Sequence, residues 1–68
     1  MNDKASLTAD TLELLFLNQI AIRAALEELS LWVSQRGSVN IHENVMGIVR
    51  ALDVNADAIS TSIAKLRE

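Results

Sequence analysis

The stretch Leu12–Val33, LELLFLNQIAIRAALEELSLWV, decides the fold. Within it Leu12, Leu15, Gln19, Ile22, Leu26, Leu29 and Val33 are spaced alternately by three and four residues, and six of the seven are apolar. That is the seam of one helix lying along another. Ala21, Ala25 and Trp32 project close beside this seam, with Arg23, Glu27, Ser30 and Ser34 opposite. The first half of the stretch is more apolar still. Leu12, Leu14, Leu15, Phe16, Leu17 and Ile20 point nearly all the way round, interrupted only by Glu13, Asn18 and Gln19. A helix that is apolar on every side has to be covered on every side. One neighbour cannot do that, and a chain of 68 residues is too short to supply three. A second copy of the chain is the simplest cover, and Phe16 and Ile20 are expected to meet it.

Working outward, Thr8 and Asp10 are candidate N-caps, Asp10 having Glu13 three residues on as a capping-box partner. The spacing predicts a first helix over about residues 8–36, with residues 1–7 disordered. Gly37 supplies the left-handed residue common just past a helix end, and Arg36 suits the negative end of the dipole. Asn40 with Glu43 matches a second capping box, opening a helix over about residues 40–66. Its apolar stripe is Ile41, Val45, Ile48, Leu52, Ala56, Ile59, Ile63 and Leu66. The stripe crosses Asp53–Asp57 without losing phase. Asp53 or Asn55 could cap a separate third helix there, but no proline or glycine enforces a break, so one helix is expected.

Two long helices joined by the turn Gly37–Asn40 make an antiparallel hairpin. The expectation is an all-α, single-domain chain over residues 1–68 whose hairpins pair into a homodimeric four-helix bundle. The candidate core and dimer-interface residues are Leu12, Leu15, Phe16, Gln19, Ile20, Ile22, Leu26, Leu29 and Trp32 with Ile48, Leu52, Ile59 and Ile63. Gln19 reads as a polar residue that fixes register, Trp32 as filler of the hairpin near the turn or an interface anchor. Met46 and Val54 lie off the stripe of the second helix and are candidate contacts for a protein partner. Gly47 sits mid-helix, where glycine costs about 1 kcal/mol relative to alanine, which suggests close approach of another backbone.

Composition narrows the classes. Half the residues are hydrophobic, there is no cysteine or proline, and the net charge is −3. A chain this small usually needs a staple. Without cysteine neither a disulfide nor a thiolate metal site is open, and oligomerisation remains. The six Lys and Arg residues are scattered, so no basic stripe exists for nucleic acid. Glu13 and Arg23 break the apolar run, so neither a secretory signal nor a membrane span is expected; the chain reads as a bacterial-type cytoplasmic protein.

Catalytic equipment is sparse. His42 beside Glu43 is the only His/acid pair, read as a solvated or dipole-adjacent side chain on a first helical turn, although two copies of His42 could in principle meet at a metal. Glu27 and Glu28 point about 100° apart and make no paired-carboxylate site. Gly37 and Gly47 stand alone, so there is no phosphate loop. Arg23–Glu27 and Arg50–Asp53 have the spacing of surface ion pairs, whereas Asp53 and Asp57 are like charges at that spacing. No catalytic residue, metal or cofactor is expected. The chain reads as a dimeric protein-interaction or regulatory module with an unidentified protein partner. In size and architecture the expected dimer resembles the Rop-like plasmid copy-number proteins, in which a helical hairpin pairs into a four-helix bundle that binds RNA. That resemblance is of shape, without a shared residue motif, and the acidic balance here runs against the nucleic-acid role it implies.

Overall fold

The computed structural model describes residues Asp3–Glu68 as two helices, α1 (Asp3–Gln35) and α2 (Val39–Arg67), lying antiparallel along each other. The described residues contain no strand, as an Ala- and Leu-rich chain without alternating segments implies. The rod measures 53 × 15 × 10 Å, with a radius of gyration of 15.7 Å. A globular chain of this length would have about 11 Å. No helix is long and apolar enough to cross a membrane among the described residues.

α1 starts at Asp3, five residues before the expected start at Thr8, so residues Asp3–Leu7 are helical rather than disordered. Met1 and Asn2, also expected to be disordered, lie outside the described residues. Neither Thr8 nor Asp10 is a cap. The Thr8 and Thr11 hydroxyls instead donate back along the helix to the carbonyls of Lys4 (2.7 Å) and Leu7 (2.9 Å).

The turn is built as the sequence implies at its first half. Gly37 has φ +99°, its N–H donates to the Ser34 carbonyl (3.0 Å), and the Ser38 N–H donates to the Val33 carbonyl (3.2 Å). These two bonds are the Schellman closure of α1. The second half differs. α2 opens at Val39 behind Ser38, whose side chain makes no capping bond, so Asn40 sits inside the first turn and the Asn40–Glu43 capping box is not used. The connection is Arg36–Ser38, shorter than the expected Gly37–Asn40. α2 runs through Asp53–Asp57 unbroken.

The packed seam has a different phase from the most apolar stripe. α1 turns Ala9, Leu12, Phe16, Gln19, Arg23, Leu26, Ser30 and Val33 toward α2. Of the stripe expected there, Leu15, Ile22 and Leu29 are exposed, and Phe16, Arg23 and Ser30 hold their places. α2 answers with His42, Val45, Val49, Leu52, Ala56, Ile59, Ile63 and Leu66; Ile41 and Ile48 of its expected stripe are exposed. The physical reason is that the displaced positions carry cross-helix polar partners, described below, which an apolar count cannot register. The core is thin. Among the described residues only Ala9, Val49 and Ile63, with Ser30, are buried, and fourteen large hydrophobic side chains are exposed.

Candidate interaction surface

Four polar contacts lock the hairpin in register. Ser30, only 3% exposed, places its Oγ 2.8 Å from Nδ1 of His42 and 3.4 Å from the His42 carbonyl. With Nδ1 protonated the hydroxyl accepts from the ring and donates to the His42 carbonyl; with Nδ1 bare it donates to the ring, so the buried Ser30 is satisfied in either tautomer. This corrects the reading of His42 as a solvated side chain and of Ser30 as an outward one. The pair has the spacing of a nucleophile and its base. Ser30 lies buried inside the seam and His42 is partly buried, and the contact fixes α1 against α2 beside the turn. Nearer mid-helix, Gln19 Nε2 donates to the Leu52 carbonyl (3.3 Å), which fits a register-setting amide.

The other two contacts are ionic. Arg23 donates through Nε to Asp53 Oδ1 (2.5 Å) and through Nη2 to Asp53 Oδ2 (3.1 Å), a bidentate fork, and also reaches Glu27 Oε2 (2.7 Å). The expected Arg23–Glu27 pair is thus present, whereas Asp53 is taken by Arg23 across the seam rather than by Arg50. The hydrogen bond from Arg23, backed by its charge, holds the Asp53 carboxyl below the usual carboxylate range despite partial desolvation. The same bond, together with the one to Glu27, raises the Arg23 guanidinium further above its ordinary value. At the open end Arg67 Nη2 reaches Asp10 (3.0 Å) and Glu13 (3.1 Å), tying the last turn of α2 to α1. No long-range pair of this kind can be read from local spacing.

These ion pairs mark one long side of the hairpin. Glu13, Arg23 and Glu27 of α1 and Asp53 and Arg67 of α2 share it. Advancing about 100° per residue, Leu17, Ile20, Leu31, Met46 and Asp57 fall on that side too. The opposite long side is different in kind. It presents Thr11, Leu15, Asn18, Ile22 and Leu29 from α1, and the row Ile41, Asn44, Ile48, Ala51, Asn55, Ala58 and Ser62 from α2, all exposed. No Asp or Glu lies in these rows, although Glu28 borders them in a groove with Leu29, and the charged residues on that side among the described residues are basic and at its ends: Lys4 and Lys65 at the open end and Arg36 beside the turn.

The remaining candidates divide as follows. Leu26, Leu52 and Ile59 are half-buried in the seam with Phe16 and Gln19, Ile63 is buried, and Leu12 is at its margin. Ile20 is exposed on the ion-pair side. Trp32 does not fill the hairpin: it is 52% exposed, its ring covered by the Arg36 guanidinium at 4.5 Å from the centroid, beside a shallow groove shared with Ala25, Glu28 and Leu29. Val54 is 69% exposed, and Met46 is half-buried. Gly47 has no backbone against it. A Cβ built there would meet only the Arg50 Nη2 atom at 3.8 Å, so the neighbouring helix of the hairpin makes no close approach. Compared with family models, with curated proteins and with solved structures, the chain matches none.

Proposed function

We propose that the chain is a small non-enzymatic interaction module, working as a homodimeric four-helix bundle that engages another protein through the surface left outside the bundle. The observation that carries this reading is surface area. The hairpin exposes 5131 Å². A folded monomer of 7.5 kDa is expected to expose about 4,200 Å². The surplus, on the order of 900 Å², resembles the roughly 800 Å² that each partner contributes to a standard specific interface. The thin core points the same way, because three buried apolar side chains are far fewer than a chain without disulfide or metal needs.

Sedimentation velocity between micromolar and millimolar concentration tests the dimer: the expected mass is twice that of the chain, and a compact, fully helical single chain throughout would overturn the reading. The binding role is tested by affinity capture of a stoichiometric partner with the wild type and with Val54→Glu. That substitution lies on an open surface and leaves the helix intact. Capture is expected from the wild type and lost with the variant if Val54 is part of the contact. Repeated failure of the wild type to retain any stoichiometric protein would remove the interaction role.

A further inference from the structure

The geometry points to one side of the hairpin as the dimer interface: the second copy of the chain docks on the side away from the ion pairs, over the uncharged middle formed by Leu15, Ile22 and Leu29 of α1 and Ile41 and Ile48 of α2. This rests on the dimer reading above and adds which surface is covered. Each of the five side chains is more than half exposed in the single hairpin. Leu15, Ile22 and Leu29 recur every seven residues, as do Ile41 and Ile48, which is the spacing of a helix that keeps one stripe against a neighbour.

The two sides differ in what self-association would cost. Two copies meeting through the ion-pair side would bring Glu13, Asp53 and Asp57 of each against the same residues of the other. They would also strip water from Arg23 and Arg67, whose pairs are partly solvated. An isologous contact sets the same patch against itself, and through the other side the middle of that patch is uncharged; like charges, from Lys4, Lys65 and Arg36, stand only at its exposed ends. The apolar side chains are interleaved with Asn18, Asn44 and Asn55, whose amides carry both donors and acceptors and can pair across a two-fold axis. The shape also favours a second hairpin over a lone helix of some other protein. The side is a flat layer two helices wide, and one helix laid in its groove would leave the outer flank of each row in water. The surplus surface is of the size a second hairpin removes.

The test uses the unmodified chain. Isotope-labelled and unlabelled protein are mixed, and contacts between copies are read as intermolecular nuclear Overhauser effects among methyl groups. Effects connecting Leu15, Ile22, Leu29, Ile41 and Ile48 are expected. Effects confined to Leu17, Ile20 and Leu31 would overturn the face assignment and leave the dimer standing, whereas a monomer at millimolar concentration would remove both. Two variants give an independent measurement. Ile22→Glu places a charge in the contact twice per dimer and is expected to weaken dimerisation on the order of 100-fold or more; Leu31→Glu, on the other side, is expected to change it by less than about threefold. The reverse order would sink the proposal.

Discussion

Ser30 and Gly47 are the two positions where single residues depart most from their apparent roles. Ser30 is buried against His42, and removing its hydroxyl leaves a ring nitrogen and a carbonyl facing an apolar gap. Ser30→Ala is expected to destabilise the fold by about 1–2 kcal/mol. The double variant Ser30→Ala/His42→Leu is expected to cost less than the sum of the two single changes, because the partner left unsatisfied is also gone. Additive losses in denaturant titrations would mean the hydrogen bond contributes nothing. Gly47 behaves oppositely. It stands in mid-helix with open space where its side chain would be. Gly47→Ala is expected to raise stability by about 1 kcal/mol, and a loss would show that a partner backbone approaches it after all. In the sequence a costly mid-helix glycine suggests a packing contact; within the hairpin α1 does not supply it.

At the scale of the two helices, the number, direction and pairing of α1 and α2 were legible in the spacing of apolar residues and in Gly37. The phase of their contact was not. Apolarity reports the total cover a helix needs, from its own chain and from any other, so the most apolar row of α1 is not the row turned to α2. The sequence spacing puts Leu15, Ile22 and Leu29 in the seam, and they stand outside it. It puts Arg23 and Ser30 outside, and they stand within it, because their partners Asp53 and His42 lie 30 and 12 residues away, beyond any local pattern. The Arg23–Asp53 fork gives this phase a pH signature. The Asp53 carboxyl titrates below its usual range when folded. Its contribution is therefore present above the unfolded value and lost as the pH falls through the folded one, below about pH 4. Arg23 is shifted upward, and its contribution survives throughout the working range. Denaturant midpoints measured from pH 6 to pH 2 are expected to fall more steeply below pH 4 in the wild type than in Asp53→Asn. Parallel curves would mean the fork is not formed in solution.

For the molecule as a whole, the hairpin hides little of itself, and its stability is expected to depend on how much of it is present. If two copies fold as one unit, each tenfold increase in concentration is expected to raise the thermal midpoint by about 5 °C. A midpoint independent of concentration from 1 μM to 1 mM would contradict this. The candidate surface was visible in the sequence as an excess of apolar residues. Its division into two unlike sides was not, because the ion pairs that mark one side come from Arg67 reaching α1 and Arg23 reaching α2. That only Ala9, Val49 and Ile63 among the described apolar residues are buried then bears on supply as well as on shape. A polypeptide that must find its twin before it is fully ordered has a native yield that grows faster than its synthesis. If this chain is such a polypeptide, halving its rate of production is expected to more than halve the functional pool and leave the remainder open to proteolysis.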